Sequence, residues 1–526
     1  MTTARIGLAV SVLLVLFSLA PIAPAQIHLS GNVFDGAGGP LVTGKVYVAT
    51  GALGVPATKT LTVQDGAILK FQPGTYLDVS GTLLVTGTAQ SQAYFTAYRD
   101  DSVGGDTNGD GPSVGAPGDW YGIRFYPAAT GCVLLYAEVR YGGEGGFAGF
   151  MVFSSGVTLD HCTVRSGSVD GINLADSAAK PVVKNCALLG NKGLAIANVR
   201  LDAVPGFTDN SASQNGGNYL DVSSASVTAH LSLVAANCLN GALVLRSAIA
   251  VPTSLTLTLG AGVVMKMTSG HYVDVSGTLQ VSGEAATPIV FTSFADDSVA
   301  GDTNGDGPSV GRPGDWYGIR FNPTATACDV RHAEVRFGGE GGFAGFIVLS
   351  SGVILDRCAV WSGKVHGLDL GNTAVRPIVT GCSFVQNVGI AMANVRLESV
   401  PGFTNNSASH NGGDYIEVVN GGVSTNTSLL AENCPNGVNG ALVVRAPIAV
   451  ARGATLRLGA RVVVKMTSGH YVDVAGTLEL LGAAAVPVVF TSFRDDSIAG
   501  DTNGDGPSTG SPSDWYGIRF LTTATG

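Results

Sequence analysis

Short runs in which apolar and polar residues alternate, each closed by glycine, proline or asparagine, recur along this chain. Tyr76-Leu77-Asp78-Val79 and Ile123-Arg124-Phe125 are examples, as are the stretches GVTLDHCTV and PVVKNCALL around Cys162 and Cys186. A period of two with such boundaries predicts short β-strands with one face inward. We find no apolar run at helical spacing after residue 25. The strands are themselves periodic. Cys162 and Cys186 lie 24 residues apart, as do Asn191 and Asn215, and Cys358/Cys382 and Asn387/Asn411 repeat the spacing. A coil of about two dozen residues cannot bury its inward face alone, so the pattern predicts a solenoid of stacked coils.

A longer repeat contains the shorter one. LTVQDGAILKF from Leu61 returns as LTLGAGVVMKM from Leu257 and LRLGARVVVKM from Leu456, and each leads to a D-V-S/A-G-T-L segment. The period is 196 residues, then 199 where three residues are inserted around Pro435 to Val438. We divide the chain into a leader (1–25), a first unit with its entry (26–240), a second unit (241–439) and a truncated third (440–526). A solenoid halting in mid-unit leaves an open sheet edge, which reads as a piece of a longer protein.

Within drifting copies one stretch stays fixed. Asp100 to Phe125, DDSVGGDTNGDGPSVGAPGDWYGIRF, matches its second copy at 24 of 26 positions and its third at 21. Asp106, Asn108 and Asp110 place oxygen side chains at positions 1, 3 and 5 of a loop, with Gly111 at 6, as an EF-hand calcium loop begins. Asp302, Asn304, Asp306 and Asp501, Asn503, Asp505 repeat it. Position 12 is Pro117, Pro313 or Pro512, which supplies no carboxylate. Asp119, Asp315 and Asp514 on one side, or Asp101, Asp297 and Asp496 on the other, are the candidate replacements. Three 20-residue windows hold 15 of the 39 acids and a single basic residue, Arg312. A divalent cation would relieve that crowding, with calcium affinity at the extracellular end of the range, ~10⁻⁴ to 10⁻³ M. The alternative is a solvated Asx-turn hairpin.

Composition narrows the class. Charged residues are only 13%, Gly is 74 of 526, and the net charge is −10. Few charges with much glycine suit strands and tight turns, and an acidic chain without basic clusters excludes a nucleic-acid partner. Met1 to Ala25, with Arg5, an apolar run over Ile6 to Ala20 and Ala23-Pro24-Ala25, reads as a secretory signal peptide, too short in its apolar run to span a membrane. The chain is therefore expected outside the cell, secreted or at the surface. Its eight cysteines, four per unit, then read either as disulfides or as small buried residues in internal ladders.

The GAILKF…YLDVSGTLLVTGT…YFTAYRDDS run, the GDWYGIRF signature, AEVRYGG and LDHCTV…GINL…PVVKNCALLGNKGLAI resemble secreted bacterial right-handed parallel β-helix proteins of the pectin-lyase-like kind. The resemblance covers nearly all of the chain after the leader and implies an all-β, right-handed parallel β-helix. A string of β-sandwiches is the other architecture considered, and the 24-residue spacing disfavours it. The family holds enzymes and non-catalytic surface proteins, so the resemblance leaves activity open. Its lyases use calcium with an Arg or Lys base and its glycosidases use paired carboxylates. Lys70, Lys266, Lys465, Arg124, Arg320 and Arg519 recur here, but alternation reads them as outward strand residues. Asp170-Gly171, which becomes His366-Gly367, resembles a scrap of a polygalacturonase motif without its companion residues. We expect a non-catalytic calcium-binding rod, structural, adhesive or glycan-binding, with a polysaccharide lyase or glycosidase as the alternative. Candidate glycan contacts are Trp120, Tyr121, Glu144, Trp316, Tyr317 and Glu340, although tryptophans in this setting also suit a core corner.

Overall fold

A computed structural model describes residues 26–437, 440–502 and 504–525, so the leader 1–25 and Asn503 lie outside the described residues. The chain is a parallel β-solenoid of about 19 turns. Its coils are of about 24 residues, and 44% strand against 5% helix makes it all-β. Helical structure consists of short 3-10 turns. No described helix is long and apolar enough to cross a membrane.

Each coil carries three strands on three faces. In the first unit the first face runs Ile68–Phe71, Ala93–Ala97, Ala137–Arg140, Thr163–Arg165, Ala187–Leu189 and Ser211–Ser213, all parallel. The second face runs Leu77–Val79, Ile123–Phe125, Phe150–Val152, Ile172–Asn173 and Leu194–Arg200. The third runs Thr60–Gln64, Thr82–Thr86, Cys132–Leu135, Val157–Asp160, Val182–Lys184 and Phe207–Thr208. The alternation read in the sequence now has its cause. Leu77, Val79, Ile123 and Phe125 point inward and are fully buried, while Asp78 and Arg124 between them point out and pair at 2.7 Å.

One core runs the length of the described coils, from Leu29 to Val474. Strands pair across both boundaries drawn between units, so the units are sequence repeats on one continuous ladder. Asparagines seal the corner between the first and second faces. Asn191 accepts from Gly167 N at 2.9 Å and donates to Val164 O at 3.1 Å and Asn215 Oδ1 at 2.8 Å. Asn387 and Asn411 repeat this arrangement. All eight cysteines are buried and unbridged, which settles the choice the sequence left open in favour of internal packing. Burial pushes the Cys238 and Cys434 thiols up, to about 11 and about 12.

The repeat does not line up along the axis. Ile196 on the second face pairs with Leu220, Leu220 with Leu243, Leu243 with Met265, and Met265 with Phe291. Phe291 is the second unit's counterpart of Phe95, a first-face residue. The second unit's first face therefore continues the first unit's second face. The same step recurs, through Met392, Ile416, Leu442, Val464 and Phe490, between the second and third units. Two coils with 3-10 turns, Leu201–Gly206 with Ala235–Asn237 and Leu397–Gly402 with Ala431–Asn433, sit where the ladders are reassigned. The three fixed stretches thus leave the solenoid at successive corners instead of along one edge.

Candidate metal centre

In the first unit the chain leaves the first face after Ala97 and returns at Ile123 on the second. The excursion folds back over the outside of the coil. Its hold is Lys70, which points outward from its strand yet is fully buried, its Nζ donating to Gly105 O at 2.8 Å and Thr107 Oγ1 at 3.0 Å. Lys266 and Lys465 make the same two bonds to Gly301 and Thr303, and to Gly500 and Thr502. Sequence reading placed these lysines on an outward face, which is right, but missed that the excursion covers them. The signal was available: each recurs 36 residues before Asp106, Asp302 or Asp501, inside the acid-rich repeat. Burial pushes the pKa of all three ammonium groups down, while the nearby acids, Asp101, Asp100 and Asp106 for Lys70, pull it back up.

The excursion brings three carboxylates together in every unit. Oxygens of Asp101, Asp106 and Asp110 lie within 4.8 Å of one another, as do those of Asp297, Asp302 and Asp306 and those of Asp496, Asp501 and Asp505. Two oxygens on one calcium ion, each at 2.3–2.6 Å, are at most about 5 Å apart, so the spacing fits a shared ion. The turn between them is tight. Asp106 accepts from Gly109 N at 2.6 Å and Gly111 N at 3.1 Å, with Gly111 at φ 88°, in the left-handed region where glycine is unstrained. Asp302 and Asp501 accept the equivalent pairs. Asp101 is held by Ser113, which donates from N at 2.7 Å and from Oγ at 3.1 Å to Oδ2. Its other oxygen, Oδ1, is buried without a hydrogen-bond partner, and so are Oδ1 of Asp297 and of Asp496. Asn108 Oδ1 shares that condition, while its amide donates to Asp110 at 2.8 Å. Asn304 donates to Asp306 at 2.9 Å. Buried acceptors left bare are costly, and the same oxygen is bare in all three copies.

Two parts of the sequence reading change here. Asp119, Asp315 and Asp514 do not join the clusters. Asp119 accepts from Ala116 N at 2.7 Å and approaches Arg99 at 4.0 Å. Asp315 and Asp514 accept from Arg312 N and Ser511 N, each at 2.8 Å, and from Ser293 and Ser492 hydroxyls at 2.6 Å. They close the turn that ends the excursion. Asp119 does face Asn108 and Asp110 across a cleft of about 200 Å³ whose walls include Phe71 and Tyr98. The acids are also less isolated than their windows suggested. Asp100 is buried, accepts from Thr96 at 2.6 Å and Ser102 Oγ at 2.5 Å, and meets Arg140 at 3.4 Å. Lys70 and Arg140 come from neighbouring coils, where a window of sequence does not reach.

The glycan candidates divide. Trp120 and Trp316 are fully buried, each donating its indole N–H at 2.7 Å, to Arg140 O and Arg336 O. Trp120 stacks on Phe71 at 3.9 Å, so neither ring offers a face to a sugar. Glu144 and Glu340 reach back to the corner below, accepting from Gly74 N at 2.7 Å and Gly270 N at 2.6 Å. Tyr121 and Tyr317 remain half-buried, edge-on to Phe147 at 5.0 Å and Phe343 at 4.8 Å. Gly145 explains one glycine of the YGGEGGFAGF turn. It sits at φ 63°, and a Cβ there would lie 2.5 Å from the Tyr121 ring. Arg124, Arg320 and Arg519 are engaged by Asp78, Asp274 and Asp473. Comparison with protein-family models, with curated proteins and with solved structures finds no match to this chain. The fold itself assigns the chain to the parallel β-solenoids.

Proposed function

We propose that this chain is an extracellular, non-catalytic β-solenoid, of the pectin-lyase-like kind its sequence resembles, in which every unit binds calcium in its acidic excursion. The supporting observation is the bare, buried Oδ1 of Asp101, Asp297 and Asp496, each beside two further carboxylates. An all-oxygen, carboxylate-rich set suits a hard cation, and calcium tolerates the irregular geometry of a loop better than magnesium does. The protein ligands would be Asp101, Asp106 and Asp110 with Asn108, and their counterparts, water filling the remaining positions. The ion would fix a long loop against the rod and make the solenoid a stiff scaffold for contact with cell-surface or matrix polysaccharide. Because successive loops leave at successive corners, such a rod suits joining partners on different sides, not lying along a single one.

Calorimetric titration of the full chain tests this reading. Calcium should bind at about three sites with ~10⁻⁴ to 10⁻³ M affinity, and D101N, D297N and D496N should each remove about one. No heat from any variant or from the parent chain refutes calcium binding.

A further inference from the structure

The acidic excursion has an underside. Between its acids every copy carries a small apolar pair: Val103-Gly104, Val299-Ala300 and Ile498-Ala499. In the second unit Val299 and Ala300 pack on Ala242, Val264 and Val290, a cluster separate from the main core. These three residues point outward. Val264 and Val290 are register partners, and their chain neighbours Met265 and Phe291 belong to the core, as does Leu243 beside Ala242. The first unit repeats the arrangement. A Cβ on Gly104 would lie 3.1 Å from Val46 and 3.3 Å from Ile68, and Val46, Ile68 and Tyr94 are partners in one ladder. In the third unit the equivalent positions are Ala441, Val463 and Val489. Ala441 and Val463 are buried there too. Outward strand positions on this solenoid are otherwise mostly polar, so each unit carries an apolar strip across three coils beneath the excursion.

We propose that each acidic excursion is a latched cover over this strip, and that loss of the bound cation opens it. The inference rests on the calcium reading above and assigns that site a regulatory consequence. The cover is held by the two lysine hydrogen bonds, by a small apolar contact and by the turn that the cation would organise. Without the cation, three carboxylates within 4.8 Å repel one another inside the same turn. The cation binds the closed form alone, because only there are the three acids assembled, so its departure shifts the population toward the open form. The strip and the buried lysine then meet water.

The test is fluorescence of a hydrophobic-surface dye on the full chain, read beside the calorimetric titration. Chelation should raise dye fluorescence, and added calcium should reverse the rise. V299S, at a residue outside the proposed ligand set and adding no charge, should raise dye binding in saturating calcium and, by linkage, weaken calcium at the second site alone. Calcium heat with dye fluorescence indifferent both to chelator and to V299S overturns the cover and leaves the calcium reading standing. Absence of calcium heat removes the calcium reading and the cation latch with it.

Discussion

Three residues show what holds the excursion and the coils. Lys70 and its counterparts are the clearest, because a buried ammonium is tolerated only where acceptors meet it. K266M should loosen the second excursion, at a cost of about 1.5–3 kcal/mol for a lost charged hydrogen bond. Protease sensitivity at residues 296–316 and urea denaturation would register it. Asn191 is the second. N191A strands Gly167 N in the interior and should cost about 1–3 kcal/mol, measurable by urea denaturation. Glu398 supplies a pH dependence. Burial alone would raise its pKa, but donors from Ser424 and Thr425 and the charge of Arg376 hold it below the ordinary 4.5. A carboxylate with a depressed folded pKa stabilises above the ordinary value, and that contribution vanishes as pH falls through the folded pKa. E398Q should therefore lower the melting temperature at neutral pH and lose most of its effect in acid, well below 4.5.

At the level of elements, the strands and turns were legible because the physics that makes them is local. Period-two alternation in Leu77 to Val79 and Ile123 to Phe125, and the 24-residue step of Cys162/Cys186 and Asn191/Asn215, carry the coil directly. The three-acid cluster was legible in part. Positions 1 and 5 of the loop and the upstream Asp101 do meet, whereas Asp119 turns to close the excursion, a choice made by Ala116 N and not by spacing. Lys70 covered by the loop and Arg140 against Asp100 were not legible, because each depends on which coil lies beside which, whereas the buried Trp120 is the core-corner placement its setting suggested. As an element, the excursion should stiffen with calcium. At 10 mM and the affinities above, about 1.4–2.7 kcal/mol per site is expected from mass action, seen as a rise in melting temperature over that in chelator.

Across the whole molecule, the step of one face per unit is the feature no sequence window contains. A 196-residue period shows that the units are alike and says nothing of how they are turned. The turning arises where the second-face strands Leu194–Arg200 and Gly217–Ser224 hand over to Leu243–Leu245. Seven ladder steps separate Ile123 from Phe291 along that face, an axial rise of about 34 Å at ~4.8 Å each. With gadolinium in place of calcium, pulsed dipolar spectroscopy should find neighbouring ions farther apart than the axial rise alone, because successive loops also differ in direction. A spacing equal to the rise would put them on one edge and undo the radial display. Whether an ion lies among the carboxylates is read most directly by anomalous diffraction from crystals grown in calcium. It should show a peak in each excursion at 2.3–2.6 Å from the oxygens of Asp101, Asp106 and Asp110 and of their counterparts. Excursions free of any peak, with Asp101, Asp297 and Asp496 directed into bulk water, would contradict calcium binding.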